Sequence, residues 1–391
     1  MTRGGGDRHR QILVLTGTRA EYGLLQSPME AIEAHDELSL SVVATGVHLS
    51  PRHGNTIDDI RADGFAVDRE VLMQLDGDSG KAMAKSVGTG INGLTDAIDS
   101  LDPDIVLLLG DRGEPLAGAI SAAHMGIPVA HIHGGEAMTG ATIDDSNRHA
   151  ITRFAHLHFP ASESSAERLR KFGEEPWRIT TVGAPGLDTI RDGRYEDPDT
   201  IRGRYGFDAH EPLLLVVQHP VTTQPDQAGD QFRTTLEALE SVDAQTVIIY
   251  PNSDAGSEAI IEELETRSFG DDVLRFRNLP RNEYLGVMAA ADAMVGNSSS
   301  GIIEGPAFGL PVVDIGPRQD GRERGENTLS VPHEKPAIAD AIRRCLEDET
   351  VQERAATTDN PYDYGGAGPL IVETLADVSI DDELLRKRLT Y

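Results

Sequence analysis

Short runs of β-branched residues and leucine alternate along this chain with longer stretches whose apolar positions recur every three to four residues. The runs QILVLTG, LSLSVVATG, DIVLLLG, IPVAHIHGG and LHFPAS, with a further short strand at RITTVG, flank helical stretches over residues 23–34, 82–101 and 114–124. Strand and helix in alternation predict βα units around a parallel sheet, so residues 1–183 read as one doubly wound domain. The Pro-, Gly- and Asp-rich stretch GAPGLDTIRDGRYEDPDT then breaks the alternation. A second series opens at PLLLVVQHP and runs through TVIIYPNSD, VLRFRNLP, ADAMVGNSSSG and LPVVDIG, which predicts a second domain over 184–368, joined near 184–196. The last periodic stretch, within 369–391, follows the loop DNPYDYGGAG and is expected to cross back onto the first domain. The expected fold class is α/β, two Rossmann-like domains with a deep cleft between them. Ligands of such sheets sit beyond the carboxyl ends of the strands, which directs attention to the residues after each strand.

Length agrees with this division, because 391 residues are enough for two separate cores. Charge narrows the partners. The formal net charge is -30, and only five of the 35 basic residues are lysine. Binding a polyanion needs a basic stripe, so nucleic acid is excluded as a partner. A dispersed acidic surface suits a salt-rich cytosol, where screening shortens to about 3 Å at 1 M ionic strength, and a halophilic protein is expected, with an acidic mesophilic surface as the alternative. Activity across a salt series tests that expectation. No apolar run is long enough to cross a membrane, and the opening MTRGGGDRHR lacks the apolar core of a signal peptide, so a cytoplasmic location without membrane contact is expected. The glycines at positions 4–6 read as a disordered start. The single cysteine, Cys345, excludes an internal disulfide, and no zinc pattern is present. No cofactor and no metal are expected.

Some motif matches dissolve on inspection. Gly88-Thr89-Gly90-Ile91-Asn92-Gly93 fits G-x-G-x-x-G but lies inside a helical pattern instead of directly after a strand. Residues 77–81 have the wrong spacing for a P-loop, and Ala82 stands where a Ser or Thr would hold magnesium. Asn297-Ser298-Ser299 matches a glycosylation sequon but directly follows an apolar strand. His131, His133, His156 and His158 alternate at strand ends, a pattern that serves hydrogen bonding or catalysis more often than metal binding.

Other constellations carry chemistry. ADAMVGN runs into SSSGIIEG, where exposed N–H groups and the hydroxyls of Ser298 and Ser299 at a helix start offer an anion site, with Glu304 one turn in to accept from ribose hydroxyls. An ordinary serine N-cap is the plainer reading of the same segment. Arg19 in TGTRAEYG and Arg318 in DIGPRQDGRERGEN each follow a strand and suit a phosphate; taken singly, each is equally a surface ion pair. His219 ends the strand LLLVVQ. The densest signal is in LLLGDR, HIHGGE and TIDDSNRH, which bring Asp111, His133, Glu136, Asp144, Asp145, Arg148 and His149 to strand ends and their loops. Carboxylates converging on one place resist joint ionisation and leave an acid beside a base. A solvated acidic rim is the alternative.

At these residues the chain resembles the UDP-N-acetylglucosamine 2-epimerase family, specifically its hydrolysing branch. The resemblance runs through TGTRAEYGLL, GDRGEPLA, HIHGGE, IDDSNRHAITRFAHLHF, VGAPGLD, QHPVTT and GNSSSGIIEGPAFGLPVVDIGPRQDGRERGEN. It implies the glycosyltransferase-B architecture and an anti elimination of UDP to a 2-acetamidoglycal. Hydration then gives N-acetylmannosamine, or a 4-acetamido-6-deoxy analogue, on the way to sialic- or legionaminic-acid sugars. It further implies that Asp111 and Asp144 are catalytic carboxylates, that His133 or Glu136 completes the set, that Arg148 orients this loop, and that His48 in TGVHLS belongs to the active site. Arg19, Ala20, Arg112, His219, Ser298, Ser299, Glu304 and Arg318 fall where the family holds UDP, and a homodimer or homotetramer is implied. Three further readings stay open: a non-hydrolysing epimerase that keeps UDP attached, a glycosyltransferase of the same architecture, and a catalytically silent UDP-sugar sensor.

Overall fold

In the computed structural model, which describes residues 9–51, 54–75, 80–137, 143–251 and 254–391, two six-stranded sheets are present, each wholly parallel. The first contains β1 (Arg10–Thr16), β2 (Leu38–Thr45), β3 (Arg69–Val71), β4 (Ile105–Leu109), β5 (Val129–Ile132) and β6 (Leu157–Phe159), in the order β3-β2-β1-β4-β5-β6. The second contains β7 (Leu213–Val217), β8 (Gln245–Ile249), β9 (Val273–Phe276), β10 (Ala293–Gly296), β11 (Val312–Ile315) and β12 (Thr328–Val331), in the order β12-β11-β10-β7-β8-β9. Counted within its own half, each sheet has the order 3-2-1-4-5-6, the doubly wound Rossmann arrangement. The chain is thus α/β with two Rossmann-like domains.

Burial on both faces explains the unbroken apolar strands. In β1, Ile12 and Val14 pack with the helices Arg19–Glu33 and Ala367–Asp377, while Leu13 and Leu15 pack on the opposite face with Gly80–Leu101 and Gly113–His124. In β7, Leu214 and Val216 face Ala228–Leu239 and Lys335–Glu347, and Leu213, Leu215 and Val217 face Arg281–Ala290. Each such side chain contributes about 1.5–3 kcal/mol on burial. The GTGING match lies inside Gly80–Leu101, where two of its glycines serve packing: a Cβ at Gly90 would stand 2.7 Å from Met73 Cε, and one at Gly93 would stand 2.6 Å from Val71 Cγ1.

Contacts divide the chain into one unit of residues 1–136, 144–188 and 362–391 and a second of 137–143 and 189–361. In the first unit, the helix Ala367–Asp377 packs against Arg19–Glu33. Asp188 organises that junction by accepting from Ser27 Oγ (2.6 Å) and from the Ala367 and Gly368 amides (3.0 and 2.8 Å). Arg10 closes the other end of the same helix by donating to the carbonyls of Leu375 and Ala376, a cation at a helix C-terminus.

Three expectations are corrected. RITTVG forms only an isolated bridge, Ile179 to His158, and the sixth strand is β3 instead. The second sheet has an additional edge strand, β12. The final periodic stretch is two helices, Ala367–Asp377 and Asp382–Leu385, because Asp381 caps a new start through the amides of Glu383 and Leu384. The glycines at positions 4–6 and residues 77–79 of the P-loop-like stretch lie outside the described residues. Among the described residues no helix is long and apolar enough to cross a membrane.

Candidate active site

The first unit gathers its charged side chains beyond β4 and β5. Gly110 (φ 82°) turns the chain out of β4 and places Asp111 past the strand end. His133 follows β5 at φ 65°, a left-handed conformation that costs a non-glycine residue about 1–3 kcal/mol. Gly135 continues the turn at φ 81°, where a Cβ would meet Ser165 O at 2.4 Å. The turn brings His133 Nδ1 to 3.3 Å from Glu136 Oε1.

Arg148, on the second turn of the helix Ile143–Phe154, ties these segments together. Its side chain is 2% exposed; it pairs with Asp111, donates to Asp145 Oδ1 at 3.1 Å and donates to the Glu136 carbonyl at 3.2 Å. Burial alone would lower its pKa, but the carboxylates of Asp111, Glu136 and Asp145 outweigh that and raise it. Asp144 and Asp145 occupy the first turn, where the positive end of the helix favours them. His149 lies 3.7 Å from Asp145 Oδ2 and stacks near Phe172.

The alternating histidines have separate duties. His131 Nε2–H donates to the Gly110 carbonyl at 2.7 Å, and burial lowers its pKa to about 3, so a neutral imidazole fixes the residue before Asp111. His156 Nδ1 accepts from the Val129 amide, and His158 lies 3.1 Å from Glu174. Among the described residues no three His, Cys, Asp or Glu side chains are grouped as a metal would need.

Around β1 and β2 the arrangement is more structural. Thr18 caps the helix Arg19–Glu33, Arg19 pairs with Asp59 at 3.0 Å, and Ala20 is exposed. Arg112 stands at the start of Gly113–His124, 4.0 Å from Glu114. His48 is fully buried between Thr16 Oγ1 (3.0 Å) and Thr56 Oγ1 (2.8 Å), and burial lowers its pKa to about 4. Both ring nitrogens are engaged, so His48 braces the turn after β2 as a neutral ring.

Glu21 went unnoticed in the sequence. Its Oε2 accepts from the Gly17 amide at 2.7 Å, and burial, aided by nearby Glu114, raises its pKa to about 8. The folded chain therefore holds a proton that the unfolded chain releases near pH 4.5, and the stability this contributes is lost as pH rises from there through 8. In Glu21→Gln this loss disappears. The variant's stability relative to wild type is expected to improve by an amount on the order of a few kcal/mol between pH 5 and pH 8 in urea titrations.

In the second unit Asn297 is the organising residue. It is 1% exposed, accepts from the His219 amide (2.7 Å), donates to the His219 carbonyl (2.9 Å), and accepts at its own carbonyl from Arg318 (3.0 Å) and Gln319 (2.8 Å). The loops after β7, β10 and β11 are thereby joined. A Cβ at Gly296 would stand 2.1 Å from Val217 O, so glycine is required where these ends meet. Ser298 caps the helix Ser299–Ile303 by accepting from the Ser300 amide at 3.3 Å. Glu304, 4% exposed, accepts from Arg281 and from Ser300 Oγ. Only the placement of Asn297 directly after a strand hinted at its role; Arg281, in an unrelated helix, carried no sequence signal.

Residues 30–376 match the sequence model of the family described as UDP-N-acetylglucosamine 2-epimerase. Among curated proteins, the UDP-N,N'-diacetylbacillosamine 2-epimerase (hydrolyzing) of Legionella pneumophila is 37% identical over 382 residues, covering 98% of this chain and 100% of that protein. The UDP-N-acetylglucosamine 2-epimerase of Neisseria meningitidis serogroup B is 34% identical, covering 86% of this chain and 87% of that protein. Among solved structures, that of a UDP-GlcNAc 2-epimerase from Neisseria meningitidis bound to UDP-GlcNAc matches with a TM-score of 0.80 at 19% identity, covering 93% and 99% of the two chains, a likeness of fold.

Proposed function

The chain belongs to the UDP-N-acetylglucosamine 2-epimerase family, and on that premise we propose that it is a hydrolysing 2-epimerase of a UDP-linked 2-acetamido sugar. The 37% identity to the Legionella protein across nearly the whole chain supports UDP-N,N'-diacetylbacillosamine as the first substrate to try, ahead of UDP-N-acetylglucosamine. The observation that carries the chemistry is the buried Arg148 guanidinium, which pairs with Asp111 and Asp145 and bonds to the Glu136 backbone.

In this reading Asp111, presented as an anion by Arg148, takes the proton from C2 of the sugar. The C2–H electron pair forms the C1–C2 double bond as the C1–O bond to UDP breaks, and UDP leaves with the bonding pair. Water then adds its hydroxyl at C1 while a proton is delivered to the opposite face of C2, so the sum is UDP-sugar plus water to UDP plus the C2-inverted sugar. Asp144 delivers that second proton, and the His133–Glu136 pair exchanges protons with the leaving group and the water. His219, Ser298, Ser299, Glu304 and Arg318 are assigned to UDP. Glu304 presents its carboxylate to ribose hydroxyls from a position fixed by Arg281 and Ser300.

Proton NMR in deuterium oxide decides the reaction. Incubation with each UDP-sugar in turn is expected to release free UDP and a manno-configured sugar carrying deuterium at C2. A mixture of two intact UDP-sugars would identify a non-hydrolysing epimerase, and an unchanged substrate would leave only binding. The net charge of -30 supports salt adaptation, so turnover is expected to rise between dilute buffer and about 1 M salt; full turnover in dilute buffer would count against it.

A further inference from the structure

The helix that carries Asp144, Asp145 and Arg148 is held at its far end by a residue from the last segment of the sequence. Lys387 Nζ donates to the carbonyls of Thr152 (2.9 Å), Ala155 (2.7 Å) and Arg153 (3.3 Å), which close the helix Ile143–Phe154. The same ammonium lies 2.7 Å from Glu174 Oε2. Glu174 has no exposed side-chain surface; it also accepts from Arg153 on that helix and lies 3.1 Å from His158 Nε2 on β6. A cation that satisfies terminal carbonyls at the negative end of a helix is favourable on both counts.

Lys387 is itself anchored. Asp381 caps the short helix Asp382–Leu385, Leu384 is fully buried, and the buried Arg178 donates to the carbonyls of Leu384 (2.8 Å) and Glu383 (2.6 Å). Beyond Lys387, the Thr390 amide donates to the Gly173 carbonyl at 3.2 Å. Lysine is scarce here, five residues among 35 basic ones, and its compact three-donor ammonium fits three converging carbonyls where a planar guanidinium does not.

We propose that Lys387 is a positioning residue for the reaction: by clamping the end of Ile143–Phe154 it sets the placement of Asp144 and, through Arg148, of Asp111. The proposal rests on the assignment of those residues to the chemistry. Thr152 and Asp144 are about 12 Å apart along the axis, so a slip at the clamped end is transmitted along a rigid rod to the reacting groups. A misplacement of about 1 Å is enough to cost on the order of 100-fold in rate. The charged groups facing Lys387 are Glu174, Arg153 and Arg178, with His156 and His158 beside them, and burial lowers its pKa to about 8.

Lys387→Met is expected to lower kcat about 10- to 100-fold with KM for the UDP-sugar within about twofold of wild type. Lys387→Arg, which restores the charge but not the fit, is expected to recover part of kcat and to move the alkaline fall of kcat from near pH 8 to higher pH. Glu21, which also titrates near pH 8, is untouched by that variant, so the shift isolates Lys387. Hydrogen exchange tests the clamp without turnover: amides of residues 147–155 in wild type should lose about tenfold protection between pH 7 and pH 9.5 after correction for intrinsic rates, and Lys387→Arg should not. Unchanged protection of that helix in wild type at pH 9.5 and in Lys387→Met would overturn the proposal whether or not any UDP-sugar is turned over. Protection lost as predicted in a protein that turns over neither UDP-sugar would keep the clamp and remove the assigned reaction.

Discussion

Asp111→Asn is expected to lower kcat by about 100- to 10,000-fold while leaving KM for the UDP-sugar within a few-fold, the signature of an interaction made mainly in the transition state. The asparagine carbonyl still accepts from Arg148, so the loop after β4 keeps its place, and His131 still holds the Gly110 carbonyl. Only the base is removed. Two readouts separate this from a binding defect: release of UDP, and incorporation of solvent deuterium at C2, which should fall together. Turnover near that of wild type would remove Asp111 from the reaction, and surviving deuterium incorporation without UDP release would reassign it to the leaving group.

Arg148→Met has the larger expected effect on the protein itself. The guanidinium is 2% exposed and neutralises Asp111 and Asp145, whose side chains are 22% and 18% exposed. Removing one partner of a buried ion pair leaves the other uncompensated, at a cost of about 3–5 kcal/mol. At roughly 2–4 °C per kcal/mol for a unit of this size, the thermal midpoint should drop by about 6–20 °C, measured by differential scanning calorimetry. Adding Asp111→Asn to Arg148→Met should return part of the loss, because one of the stranded charges disappears with it; the double-mutant cycle gives the coupling directly. An Arg148→Met protein as stable as wild type would mean that the pair contributes nothing net.

The chain's periodicities carried most of the architecture. Ten of the twelve strands begin in apolar runs that stand out from their surroundings, and the alternation of strand with helix fixes parallel sheets. β3 and β12 escaped because they are short edge strands: β3 is Arg-Glu-Val with its first two residues exposed, and β12 is Thr-Leu-Ser-Val with none of its residues fully buried. An edge strand pairs on one side and needs no apolar run. The break between Ala367–Asp377 and Asp382–Leu385 was hidden because apolar residues fall on both sides of it, while the cap at Asp381 is a local hydrogen-bonding choice.

The candidate site divides in the same way. Asp111, Glu136, Asp145 and Arg148 are close in sequence or follow adjacent strands, so strand order alone brings them together. Asn297, Arg281 and Lys387 act through partners tens or hundreds of residues away, with Lys387 bonding to Thr152 across a separation of 235. Which loops meet at Asn297 follows from the order β10-β7 and β10-β11, and those pairings exist only once the sheet has formed. The protonated state of Glu21 likewise depends on burial, which no local pattern of residues specifies.

The three-part composition of the first unit has a consequence for biosynthesis. Residues 189–361 supply all twenty buried side chains of the cluster around β7, β8, β10 and β11, so that body is whole when residue 361 leaves the ribosome. The cluster around β1 and β2 still lacks Ala367, Ile371, Val372, Leu375 and Leu384 at that moment. The half of the polypeptide made first is therefore finished last, and a nascent chain that has emerged only as far as residue 361 carries one closed body and an open apolar seam. At about 5–20 residues per second the stretch from residue 361 to Leu384 takes about 1–5 s, and that interval is where a chaperone would bind.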